Sequence, residues 1–138
     1  MTNRFKTCQL FLFTFTLVVL FSFTNVIAQK GLLDGKVFVG QSREKHKRAA
    51  KEDELRFMNG KFQSLVYGQR GFNKAVYTSR AEEDKIYFEA ESVSPKQGEI
   101  KWRGILYGDS IEVNYHWSKK GWFSSTEKDY SFKGTLKK

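Results

Sequence analysis

The chain has 138 residues, 28% of them charged, and 24 Lys and Arg against 15 Asp and Glu give a formal net charge of +9. A single cysteine, Cys8, excludes a disulfide framework. The length allows one domain core and no second one.

The N-terminal segment has the three parts of a secretory signal in order. Arg4 and Lys6 supply positive charge, Leu10 to Phe23 (LFLFTFTLVVLFSF) is uncharged and mostly apolar, and Asn25-Val26-Ile27-Ala28 offers a small residue for cleavage. Thr24 and Asn25 interrupt the apolar run short of the ~20 residues a spanning helix needs. Residues 1–28 are therefore expected to be a cleaved signal peptide. The mature chain would begin at Gln29, be exported to the periplasm or beyond, and keep no transmembrane segment. Cys8 precedes the apolar stretch, whereas a lipid-modified cysteine would follow it. The mature chain then has no thiol, which suits a bacterial envelope protein. Losing Arg4 and Lys6 lowers its net charge to +7, and such a charge favours anionic partners.

From residue 29 onward the dominant signal is period-two alternation, which sends successive side chains to opposite faces of a strand. Lys36–Gln41, Glu54–Met58, Lys61–Tyr67 and Phe72–Arg80 are the less regular strands. The Asn59-Gly60 pair between the second and third is a strong type I′ hairpin signal, because both residues tolerate positive φ. Lys85–Val93, Glu99–Tyr107, Ser110–Trp117 and Glu127–Leu136 alternate cleanly. In the second of these Ile100, Trp102, Gly104 and Leu106 oppose Glu99, Lys101 and Arg103. Gly104 and Gly134 fall on apolar faces, where a missing side chain relieves crowding or lets the strand bend. Pro95, the only proline, sits in a turn.

Eight strands joined mostly by short turns predict an all-β domain over 29–138, an antiparallel up-and-down meander closed or nearly closed into a barrel. Two short packed sheets are the alternative. The stretch 43–54 (REKHKRAAKEDE) lacks large apolar residues and is rich in helix formers. It is expected to be a short exposed helix, an ordered lid between the first two strands, or a solvated charged loop.

With its turn-started strands, aromatic-rich alternation and closing Tyr130-Ser131-Phe132-Lys133-Gly134, the chain resembles small calycin-type barrels, the superfamily of lipocalins and avidins. The likeness covers most of Lys36–Lys138 and implies an eight-stranded meander that holds a small molecule. The lipocalin Gly-x-Trp is replaced by Gly35-Lys36-Val37, so no ligand-contact residue carries over. The chain also resembles small exported bacterial proteins, a likeness that brings no function with it.

Chemistry-bearing residues are sparse. His46 lies among Lys45, Lys47 and Arg48, which oppose a metal cation, and no His-x-x-x-His or Cys spacing suggests zinc. His116 falls on a polar strand face, where Glu112 or Asp109 would be its acid–base partner. Ser124, Ser125 and Thr126 have no nucleophile-elbow context. The reading is non-catalytic, with no metal and no cofactor. Two binding modes remain for an expected monomer. One is a small apolar or ring-bearing ligand held at Trp102, Trp117 and Phe132, against the alternative that aromatics simply fill a small barrel. The other is a surface module recognising an anionic glycan, lipid headgroup or partner protein through Arg43, Lys45, Lys47, Arg48 and Lys51. Trp122 and Phe123 beside Lys119 and Lys120 either add an exposed aromatic pair to this second mode or begin the eighth strand and are buried. Export argues against nucleic acid.

Overall fold

A computed structural model describes residues 31–138; the expected signal peptide, 1–28, and the expected new terminus at Gln29 lie outside the described residues. Eight strands follow in order: β1 (Val37–Glu44), β2 (Ala50–Met58), β3 (Lys61–Ser64), β4 (Ala75–Glu82), β5 (Lys85–Ser94), β6 (Gly98–Tyr107), β7 (Ser110–Lys120) and β8 (Ser125–Leu136). One short helix, α1 (Leu65–Gln69), separates β3 from β4. Each strand pairs antiparallel with the next, and β1 also pairs with β8, so the meander closes into a barrel.

Alternation became inside and outside. On β6, Ile100, Trp102, Gly104 and Leu106 are buried while Lys101, Arg103 and Ile105 face solvent. Asn59 and Gly60 both have positive φ, 53° and 72°, and make the tight β2–β3 turn. The inward glycines answer a steric demand. A Cβ on Gly104 would sit 2.2 Å from Phe88 Cε1, and one on Gly134 2.6 Å from Phe132 Cε1.

The interior is a continuous run of rings. Phe38 meets Phe57, Phe57 meets Phe62, Tyr77 and Phe88, Phe62 meets Trp102, and Trp102 stacks on Tyr115 with centroids 4.3 Å apart. Tyr115 then stacks on Tyr130 at 5.0 Å. Edge-to-face and stacked pairs of this kind each add about 0.5–1.5 kcal/mol beyond the area they bury. They hold together a chain whose described residues contain no cysteine.

The two barrel ends are finished differently. At the lower end the lead-in before β1 folds across the opening. Leu33 is fully buried, its N–H donates to Tyr77 Oη (3.1 Å), and the Tyr77 hydroxyl donates to Asp34 (2.7 Å). At the upper end β3 is short and pairs with β4 through only two residue pairs, and α1 follows it in contact with β2 and β3. Ser64 caps α1 by accepting from the Tyr67 N–H (3.2 Å). Buried Asp53 accepts from the Ser64 hydroxyl and from the Val66 N–H (3.1 Å).

Three expectations need correction. The stretch 43–54 is not a helix: Arg43 and Glu44 end β1, a turn at His46 (φ 67°) follows, and β2 begins at Ala50. Pairing from Val37↔Arg56 to Arg43↔Ala50 outweighs the helical propensity of exposed Lys, Glu and Ala. Conversely, Leu65–Tyr67 were expected in a strand and form most of α1, because Ser64 and Asp53 satisfy the first-turn N–H groups. The fourth strand starts at Ala75 rather than Phe72.

Trp102 is 2% exposed, and its indole N–H donates to Ser92 Oγ at 2.9 Å. Trp102→Ala should lower stability by about 3–5 kcal/mol, as for other large buried aromatics. Chemical denaturation measures this, and an unchanged midpoint would contradict the placement of Trp102 in the core.

Candidate functional site

Among the described residues, concave regions that a ligand could enter include the following three. The largest, about 970 Å³, is an open groove on the outer wall across β4–β8. Across neighbouring strands Glu89 pairs with Arg103 (3.3 Å) and Glu91 with Lys101 (3.8 Å), and His116 hydrogen-bonds Asp129 (2.7 Å). The ladder neutralises itself and offers an anion or a cation little. A second groove, about 450 Å³, runs along the β1–β8 seam past Gly40, Arg43 and Lys133.

The third region is a pocket of about 330 Å³ at the upper end, lined by Tyr67, Arg70, Phe72, Gln97, Trp117, Thr126, Lys128 and Tyr130. Its residues come from α1, the segment after it, the β5–β6 turn, β7 and β8. The Arg70 guanidinium lies 5.3 Å from the Tyr67 ring centroid, within cation–π range. Trp117 donates its indole N–H to the Gln97 carbonyl at 2.7 Å, which fixes the ring as a wall. Lys128 is held 3.6 Å from Glu44, which also pairs with Lys47 at 2.9 Å. The Lys47 hydrogen bond is the main cause holding the Glu44 carboxyl below its usual range.

The three expected ligand-contact aromatics do not share a cavity. Trp117 lines the upper pocket, whereas Trp102 and Phe132 are buried within the packed interior. The five expected anion-binding cations are divided as well. Lys45, Lys47 and Arg48 share the β1–β2 connection, Arg43 lies along the outer seam groove, and Lys51 is exposed on β2 opposite Ser42. His116 bonds to Asp129 across the β7–β8 ladder instead of to Glu112 or Asp109. Those two carboxylates bridge to Lys133 and Lys138. Among the described residues no three His, Cys, Asp or Glu side chains converge as a metal set.

Closure of the barrel assembles a larger set of charges. Four connections meet at the upper end: 45–49, 65–74, 95–97 and 121–124. Together with Lys119 and Lys120, which lead into the last of them, they carry Lys45, Lys47, Arg48, Arg70, Lys74 and Lys96, and they contain no Asp or Glu. The lower-end turns, 59–60, 83–84 and 108–109, hold Glu83, Asp84 and Asp109 and no cation. Arg48, Lys74, Lys96, Lys119 and Lys120 have no ion-pair partner among the described residues, in contrast to the laddered wall. Arg70, Lys74 and Lys96 carry no signal of this role in the sequence, because Arg70 and Lys74 stand four residues apart in one connection and Lys96 stands alone in another.

Comparison with protein-family models, with curated proteins and with solved structures gives no match. The class of protein rests on the fold: a closed, eight-stranded antiparallel barrel with a packed aromatic interior and a cationic upper end.

Two predictions concern the polar layer under that end. Asp53→Ala removes the acceptor for the Ser64 hydroxyl and the Val66 N–H and should cost about 1–3 kcal/mol. Hydrogen exchange should locate the loss in α1, with faster exchange at Val66 and Tyr67; unchanged rates there would contradict the anchoring role. Burial pushes the phenols of Tyr67, Tyr77, Tyr115 and Tyr130 up from the ordinary range. Unfolded tyrosines ionise near pH ~10, so above that pH the unfolded state sheds protons that the folded state keeps. The stability from these four groups is whole below about pH 10 and declines as pH rises towards their folded-state values. The denaturation midpoint should therefore drop above that pH, and tyrosinate absorbance of the folded protein should lag that of the denatured chain. Superimposable titrations would refute the burial argument.

Proposed function

We propose that this protein is a non-catalytic, calycin-type barrel of the cell envelope that docks its upper end onto an anionic envelope component. The observation that carries this reading is the sorting of charge: four connections without one acidic residue at the upper end, and three without a basic residue at the lower. Arg48, Lys74, Lys96, Lys119 and Lys120, gathered at one end without ion-pair partners among the described residues, attract and orient an anionic surface, whereas laddered pairs on the wall cancel at short range. Export, expected from residues 1–28, places such a module where anionic lipids and polysaccharides are exposed. A packed interior leaves the protein's outer surface as its working part.

A second reading has one observation in its favour. The upper pocket is walled by Tyr67, Phe72, Trp117 and Tyr130 with Arg70 and Lys128 at hand. A small ring-bearing ligand with a negative group suits it, and of the three aromatics expected to contact a ligand only Trp117 would do so.

Two sets of substitutions test the docking reading. Lys45→Glu, Lys47→Glu and Arg48→Glu reverse one connection, and Lys96→Glu with Lys119→Glu reverse two others. Each set should weaken binding to anionic vesicles or soluble polyanions, and parent binding should fall steeply with salt, since such attraction is screened within about 8 Å at physiological ionic strength. Lys101→Glu, Arg103→Glu and Lys133→Glu on the wall form the control and should bind like the parent. Equal behaviour of the upper-end and wall variants overturns the reading.

A further inference from the structure

The β7–β8 hairpin outruns its neighbours. β6 pairs with β7 only as far as Ser118, and β1 pairs with β8 only as far as Tyr130, with one further bond from the Lys45 N–H to the Asp129 carbonyl. Beyond these limits the arms pair only with each other, through Lys119↔Thr126 and Lys120↔Ser125, and a Gly121–Ser124 loop closes them. At roughly 3.3 Å per residue the free ribbon carries its tip on the order of 10 Å past the adjoining strands.

That tip holds the two most exposed large apolar side chains of the described residues. Trp122 is 92% and Phe123 95% exposed, and their rings touch only edgewise, 6.3 Å between centroids. Packing inside the protein does not account for either ring. Lys119 and Lys120 flank them without ion-pair partners, and the remaining cationic connections lie at the same barrel end.

We infer that the ribbon is a membrane anchor: Trp122 and Phe123 enter the interfacial layer of an anionic phospholipid bilayer while the surrounding cations bind its headgroups. This rests on the docking reading above and commits it to one partner. A soluble polysaccharide matches the cations but has no apolar layer for two adjacent rings. An anionic bilayer presents both, with its acyl boundary some 5–10 Å below the headgroup surface, a depth the free ribbon can reach. Trp is favoured at that level because its ring is apolar and its N–H is polar. Among the described residues no helix is long and apolar enough to cross a membrane.

The test compares the parent with Trp122→Ser/Phe123→Ser, both purified in the same form so that residues 1–28, retained or removed, are common to both. Circular dichroism checks the fold, which rings exposed to this extent do not support. Vesicles of phosphatidylglycerol and phosphatidylcholine in equal parts, vesicles of phosphatidylcholine alone, and dextran sulfate serve as probes. The double variant should bind the anionic vesicles on the order of tenfold more weakly or worse and bind dextran sulfate as the parent does. Parent tryptophan emission should shift to the blue on anionic vesicles and be quenched by brominated lipid, and the variant should lose both responses. Equal vesicle binding by parent and variant, or parent binding without the emission shift, overturns the anchor and leaves electrostatic docking intact. Parent binding to neither anionic vesicles nor dextran sulfate overturns both.

Discussion

The seam between β1 and β8 is the constraint on which the rest depends. Seven residue pairs, Phe38↔Leu136 through Glu44↔Tyr130, turn an open meander into a barrel. Gly40 opposes Gly134 in the middle of that seam, and a Cβ on Gly40 would lie 2.0 Å from the Lys133 carbonyl oxygen. Any side chain there forces backbone apart. Because the seam closes, the β1–β2 connection arrives beside the β7–β8 hairpin. Glu44 then bridges to Lys47 in its own turn and to Lys128 on the far strand, and Lys45 and Arg48 come to share an end with Lys119 and Lys120.

Closure also settles how the interior is used. A small domain without a disulfide framework depends on packing its apolar side chains into one core. The run of rings from Phe38 to Tyr130 does so, with Leu33 sealing the bottom. Polar groups enter at both ends: Tyr77 bonds Leu33 and Asp34 at the bottom, and near the top Asp53, Ser64, Tyr67 and Tyr115 form a hydrogen-bonded layer. Such a layer tolerates burial because its members satisfy one another. The enclosed interior is filled, so the concave regions lie on the wall, along the seam and at the upper rim. The cations without ion-pair partners among the described residues include Arg48, Lys74, Lys96, Lys119 and Lys120 at that rim.

What could be read from the chain was whatever depends on near neighbours. Alternation in 99–107 and 110–117 places Trp102 and Tyr115 inside, and Asn59-Gly60 specifies its turn; each follows from local backbone geometry and the period of a strand. The exposure of Trp122 and Phe123, by contrast, was decided by where the β7–β8 hairpin ends. The tertiary structure decided what requires distant residues to meet. Residues 43–54 became strand and turn because β1 and β2 found each other. Residues 65–69 became helix because Asp53, far behind them in the chain, reached their first N–H groups. His116 took Asp129 as its partner because the β7–β8 register set them opposite. The cationic end is the clearest case: Arg70, Lys74 and Lys96 are unremarkable in their own turns. Antiparallel connectivity sends alternate turns to the same end, and only barrel closure draws those turns into one ring of charge.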